Sequence, residues 1–411
     1  MGAGAAVRPT DEVEIWAFVA RVKSIIWGCI SDNCNVRARG HQVVKRIFIG
    51  IDGTSNSAFF DKFYSNVYRM NLSLAFKSKD GSPQLFIYFS GVGTSSYKYL
   101  GWLGKVFGEG IDELILQAYV NLVSNYEAGD KIYVFGFSRG AVAARALTGL
   151  ISKSGLVRYE CSPSIAPAWQ YFIGDKQAGN YKDQKPNVTY EDTAIEFLGV
   201  WDTVYGIDPK FALRKNPFMQ LSFPNFHLDQ SVKTGIHVLS IDDTRKFFRP
   251  MLWDKASDPT QKMEQIWIPG VHSDIGGGYE KAFISTVSLL TMIDRLAENC
   301  PDIEFDKEYI TKFLLPFLKE DVAINNEWQE YMSFLYRGNG RPCESHVKDY
   351  RQFAHPLLGA VTEKEIFYKT KLMKYSPSYA LSAPDVALPV TTFAPGSYCA
   401  DAVATALKAK F

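Results

Sequence analysis

The chain has 411 residues, 46% of them apolar and 14% aromatic, enough to bury a sizeable core in one large domain or two ordinary ones. Its 45 basic and 44 acidic residues leave a formal net charge of +1, which removes the electrostatic argument for a nucleic-acid partner or a strongly anionic surface. The six cysteines are scattered without a Cys-x-x-Cys pair, which argues against a zinc site and for reduced thiols in a protein made in the cytoplasm.

In chain order, residues 1–44 read as an N-terminal extension. Residues 1–10 are mostly small, and the apolar stretch from Ile15 to Ile30 carries Arg21 and Lys23, so it makes a poor signal peptide and no membrane span. Ile15, Phe18, Val19, Val22 and Ile26 share one helical face, which suits packing on the domain or contact with a membrane surface. Arg46–Ile51 is a short apolar strand ending at Asp52-Gly53-Thr54. Phe63–Phe76 has helical spacing, with Val67, Leu74 and Ala75 as its apolar positions. Gln84–Phe89 is a second strand, ending at Gly91-Val92-Gly93-Thr94, and Ile111–Asn125 is a helix with Leu114, Ile115, Ala118 and Leu122 on one face. Asp130–Phe135 is a third strand that runs into Gly136-Phe137-Ser138-Arg139-Gly140 and then a small-residue helix. Ile195–Val200 and Glu264–Ile268 are further strands, ending at Trp201-Asp202-Thr203 and Pro269-Gly270-Val271-His272. Alternating apolar runs and helices predict an α/β fold, a mostly parallel sheet with helices on both faces. The domain is expected to span 45–385, with insertions near 160–195 and 207–230, followed by a 386–411 tail whose Ala400–Phe411 looks helical. Phe211, Phe218, Leu221, Phe223 and Phe226 in the second insertion suit an aromatic cap over a cleft or simple packing.

The Gly-x-Ser-x-Gly pattern is weak alone, but a strand before it and a helix after it match a nucleophile elbow. Side chains at 136 and 140 are expected to collide with neighbouring strands, and the helix that follows aims free N–H groups at Ser138. A serine hydroxyl needs a base within hydrogen-bond reach, and the base needs an orienting acid. Ser138, Asp202 and His272 occur in the order of the α/β-hydrolase triad, each just after a strand, so they are the candidate nucleophile, acid and base. Of six histidines, His272 alone sits in a Gly-rich loop after a strand. Asp274, Asp242 and Asp243 are alternative acids; Asp274 better suits shaping the His272 loop, and Asp242 and Asp243 suit a structural acid–Arg element with Arg245. The oxyanion hole is expected from the backbone N–H of Arg139 and of Gly53 or Thr54. Asp52 shapes that loop or, alternatively, serves as a magnesium- or phosphate-site acid. The Arg139 side chain either faces solvent and meets an anionic substrate group or pairs with an acid. Nothing else calls for a metal or cofactor.

Seven segments together resemble the α/β-hydrolase domain found in phospholipase effectors of type VI secretion. They are Ile51-Asp52-Gly53-Thr54-x-Asn56, Ser65-Asn66-Val67, Tyr88-x-x-Gly91-Val92-Gly93-Thr94, the run from Gly129 to Ala141, Leu198–Val204, Leu239-Ser240-Ile241-Asp242-Asp243-x-Arg245, and Pro269–Tyr279. The likeness covers roughly 45–300, with a weaker echo at Glu344–Val347 and Tyr375-Ser376-Pro377; where the family often has an aromatic residue after Asp-Gly-Thr, this chain has Ser55. The resemblance implies a serine-dependent lipid esterase, often a phospholipase, exported as an effector and paired with a delivery or immunity protein. A soluble carboxylesterase or thioesterase, and a non-catalytic hydrolase-fold binding module, are the alternatives.

Overall fold

A computed structural model describes residues 44–53, 56, 58, 61–91, 110–158, 165–174, 189–190, 193–205, 227–245, 248–325, 351–368, 371–377 and 388–411. The amphipathic stretch 11–30, Thr54, Ser55 and the aromatic run 211–226 lie outside them. The chain divides into two units, Met1–Val44 and Lys45–Phe411, and the second carries the parallel sheet.

Seven strands form its central sheet: β1 (Arg46–Ile51), β2 (Gln84–Phe89), β3 (Lys131–Phe137), β4 (Ile195–Trp201), β5 (Val232–Ser240), β6 (Lys262–Ile268) and β7 (Gln352–Ala354). Their order across the sheet is β7-β6-β5-β4-β3-β1-β2, and every neighbouring pair is parallel. Parallel pairing puts all the carboxyl ends on one rim. It also demands cover on both faces, because the crossovers are helical. Alternation along β1 shows the two faces: Ile47, Ile49 and Ile51 pack into one hydrophobic cluster, Phe48 into the other.

On the first face lie α2 (Ile111–Asn125) and α3 (Arg139–Ser154). The four apolar positions of α2 read from the sequence are all buried there. On the second face lie α1 (Asn66–Ser73) and α6 (Phe283–Asn299); a small helix α4 (Ala166–Ile173) follows α3, and a one-turn helix α5 (His272–Gly276) precedes α6. The predicted helix 63–76 is shorter at both ends: Ser65 caps its start, its side chain accepting the Tyr68 N–H, and the backbone turns extended at Leu74.

The sequence reading missed β5, β7 and α6, each for a physical reason. Strand β5 carries Lys233, Thr234 and His237, which hide its apolar run, yet it is central and all but Lys233 is buried. Strand β7 has only three residues and exists through its pairing with β6. Helix α6 buries every residue from Phe283 to Leu296, polar ones included. Its hydroxyls are satisfied internally: Ser288 donates to the Ile275 carbonyl and Thr291 to that of Val287.

The segment 386–411, expected as a tail, is integral where it is described. Cys399, Val403 and Leu407 belong to the main core cluster. The Asp294 carboxylate of α6 accepts the backbone N–H groups of Tyr398 (2.9 Å) and Cys399 (2.7 Å). Cys300 and Cys399 are free buried thiols. No helix among the described residues is long and apolar enough to cross a membrane. At the amino ends of the strands, Arg46 of β1 and Lys131 of β3 share Asp302, at 2.6 and 2.9 Å.

Candidate active site

The strand order reverses between β1 and β3: the chain steps outward from β1 to β2, then returns to the other side of β1. Loops leaving the carboxyl ends of two such strands diverge and open a crevice. Ser138 leaves β3 at that point with φ 58° and ψ −124°, a conformation non-glycine residues rarely hold. Glycine is required on either side of it, for different contacts. A Cβ at 140 would stand 2.3 Å from the carbonyl oxygens of Ile51 and Asp52, the end of the neighbouring strand, as expected. A Cβ at 136 would instead meet Gly140 O and Ala141 Cα, in the serine's own following helix, at 2.7 and 2.6 Å. The first is the price of bringing α3 close to β1, and the second sets the sharpness of the turn itself.

Ser138, His272 and Asp202 lie on one hydrogen-bonded line. His272 Nε2 is 2.8 Å from Ser138 Oγ, and His272 Nδ1 is 2.6 Å from Asp202 Oδ2. Asp202 follows β4 directly at φ 39° and is fully buried. Its carboxylate also accepts the Ser240 backbone N–H and hydroxyl, both at 3.2 Å, from the end of β5. These two donors hold the carboxylate on the imidazole. With Nδ1 donating to Asp202, Nε2 is left to accept the serine proton. Burial holds the His272 imidazole below its ordinary pKa; Asp202 opposes this, and the Arg245 charge adds to it. The ring packs at 4.7 Å from Phe137 and meets Phe248 edge-on at 5.0 Å.

The alternative acids serve the loop that carries His272. Asp274 accepts the Val271 N–H (2.9 Å) and the Asn325 side-chain N–H (2.7 Å), and burial raises its pKa to about 7. Asp242 accepts the Gly270 N–H (2.7 Å) and the Tyr375 hydroxyl (3.0 Å). Asp243 accepts the His272 backbone N–H (3.2 Å) and binds Arg245 through both oxygens. Three carboxylates therefore pin one loop, while a fourth, Asp202, meets the ring.

Beside Ser138 lies the loop after β1. A Cβ on Gly53 would be 3.2 Å from Ser138 Cβ, so this loop walls Ser138. The Gly53 N–H, however, donates to Asp52 Oδ1 at 2.7 Å and is turned away from the role of oxyanion donor expected for it. Asp52 is a loop anchor: it also accepts the Ser65 hydroxyl (2.5 Å), the Tyr88 hydroxyl (2.7 Å) and the Asn56 amide (3.4 Å). Burial raises its pKa, against those four hydrogen bonds. Arg139 opens α3, at the end where an α-helix presents backbone N–H groups outward. Its side chain is buried rather than facing solvent, and burial lowers its pKa to about 10. Sequence reasoning missed Ser240, Phe248 and Asn325; Ser240 lay inside a motif already singled out, next to the aspartates that drew attention away from it.

A parallel sheet with a strained serine at its switch point, backed by a buried histidine and aspartate from later strand ends, defines an α/β-hydrolase. Within that class, residues 45–295 match the catalytic domain of Tle1-like phospholipase effectors of the type VI secretion system, more than half of the chain. The chain belongs to this family. It is also 26% identical over 235 residues to an uncharacterized protein of Saccharomyces cerevisiae, covering 50% of this chain and 32% of that one. Similar solved structures include an uncharacterized protein from Pseudomonas aeruginosa (18% identity, TM-score 0.35, 69% of this chain and 50% of that chain). Another is the Tle1 effector bound to the VgrG spike of the type 6 secretion system (23% identity, TM-score 0.35, 58% and 52%). The chain thus spans about a third of the yeast relative and about half of each of these structures.

Proposed function

We propose that this chain is a serine-dependent lipid esterase of phospholipase type. Ser138 is the nucleophile, His272 the general base and Asp202 the acid that orients it. The observation that carries the reading is the continuous hydrogen-bonded line from Ser138 Oγ through the imidazole to a buried carboxylate, at 2.8 and 2.6 Å. Ser138 Oγ attacks the ester carbonyl while His272 Nε2 takes its proton. The oxyanion is met by the Arg139 N–H at the start of α3, with a second donor expected from the loop after β1. The imidazolium, balanced by Asp202, returns the proton to the leaving alcohol, and water repeats the sequence to release the acid.

The family supplies the substrate class, phospholipids, and an effector's route: export through a type VI apparatus, with a delivery protein as partner and the target cell's lipid as substrate. The domain is taken as residues 45–411, since the 386–411 segment completes its core.

The test is fatty-acid release from phospholipid and from short-chain esters by wild type, Ser138→Ala and His272→Ala. The expected result is phospholipid hydrolysis reduced by about 10³-fold or more in both variants. Full activity in folded Ser138→Ala would sink the mechanism. Serine-dependent activity confined to short soluble esters would retain the three residues and discard the lipid substrate.

A further inference from the structure

Asp243, Arg245 and Phe248 form a closed ring of contacts with His272 that the three-residue mechanism does not use. The Arg245 side chain binds the Asp243 carboxylate through Nε (3.0 Å) and Nη2 (2.6 Å). Its guanidinium lies over the Phe248 ring, 3.3 Å from the centroid. Phe248 meets the His272 imidazole edge-on at 5.0 Å. Asp243 closes the ring by accepting the His272 backbone N–H at 3.2 Å. The base is thereby held at its main chain and at its ring by one device, built on the loop that follows β5.

We propose that Asp243, Arg245 and Phe248 are positioning residues for the general base, in which the guanidinium both stacks Phe248 against the imidazole and sets a positive charge near it. This rests on the reading of His272 as the base. Two-point fixation explains why an arginine is suited: a planar guanidinium binds a carboxylate in two places and stacks on an aromatic face at once, which a lysine ammonium cannot do. The charge explains the second role. His272 is faced by Asp202 from the end of β4 and by Ser138 from the end of β3, while Asp243 and Arg245 come from the loop after β5. Asp274, on its own helix, is directed to Val271 and Asn325, and Asp242 to Gly270 and Tyr375. Two carboxylates, Asp202 and Asp243, favour the imidazolium; Arg245 and burial oppose it. A base must be neutral before the serine is attacked, so Arg245 keeps His272 competent at mildly acidic pH.

The sign follows. Removing the positive charge lets the two carboxylates raise the proton affinity of His272. The acidic limb of kcat/KM then moves to higher pH. The experiment measures pH profiles on a short-chain ester for full-length wild type, Arg245→Gln, Arg245→Lys and Phe248→Leu. In parallel, the His272 ring is titrated by NMR, its signal assigned with His272→Gln. Arg245→Gln is expected to shift both the acidic limb and the NMR titration upward and to lower kcat about tenfold, with KM within about twofold. Arg245→Lys returns the limb and the titration to the wild-type position while kcat stays low, because the charge is back and the stacking is not. Phe248→Leu lowers kcat without an upward shift.

An unchanged His272 titration in Arg245→Gln, or an Arg245→Lys variant that behaves as Arg245→Gln does, would overturn the proposal and leave a merely structural ion pair. Should Arg245→Gln not fold, Arg245→Lys and Phe248→Leu, each keeping part of the ring, decide it: the proposal stands only if both lower kcat without an upward titration. If wild type has no Ser138-dependent turnover, the esterase reading fails, and the NMR titration still decides whether Arg245 controls the imidazole.

Discussion

At residue 138 the backbone is held where side chains are disfavoured, φ 58° and ψ −124°. Glycine tolerates that region and alanine does not. Ser138→Gly is therefore expected to be more stable than Ser138→Ala by about 1 kcal/mol, read as a higher denaturation midpoint, although neither retains the hydroxyl. The opposite order would mean that the turn carries no strain. The identity of Ser138, Asp202 and His272 as one constellation was legible because each follows an apolar strand. Their supporting residues were not. Nothing in one dimension tells that Ser240 reaches Asp202 or that Asn325 reaches Asp274, since those bonds join loops made 38 and 51 residues apart. The occupation of the Gly53 N–H was equally hidden: a Gly-Thr after a strand looks like a donor pair, and only the orientation of Asp52 shows which donor is taken.

Among elements, the elbow depends on how closely α3 can approach the end of β1. That distance is set at Gly140, where an added methyl would press against two backbone carbonyls that cannot move aside without unpairing the strand end. Gly140→Ala should destabilise the chain by about 1–3 kcal/mol, seen as a lower denaturant midpoint with an unchanged slope, and should lower esterase turnover as well. Stability equal to wild type would show that the approach is slack. Strands β1 to β4 and β6 were readable, to within a residue or two, because continuous apolar runs mark strands buried on both faces. Strand β5 was not, because its polar residues find partners distant in sequence, as when His237 Nε2 accepts the Thr203 N–H.

For the whole molecule, the family match ends at residue 295, and the fold does not. Arg295 itself binds Glu264 in β6 at 2.8 Å and Thr391 at 2.6 Å. Ile310, Leu314, Leu357, Val361 and Leu407 complete the cluster under α6, and Tyr375 and Asn325 brace the His272 loop from the same part of the chain. A chain cut after Arg295 is expected to lose its cooperative unfolding transition and bind a hydrophobic dye. A sharp transition in that fragment would make the later residues accessory. The α/β class was legible from alternation alone; this dependence on the last hundred residues was not, because it lies in packing.

The order in which the rim is synthesised follows from where its parts lie along the chain. The serine emerges 134 residues before the histidine it meets, and the braces of the histidine loop emerge later still. A chain still on the ribosome therefore carries a serine with an ordinary, sluggish hydroxyl. The strained serine turn is thus made well before the imidazole and carboxylate that meet it.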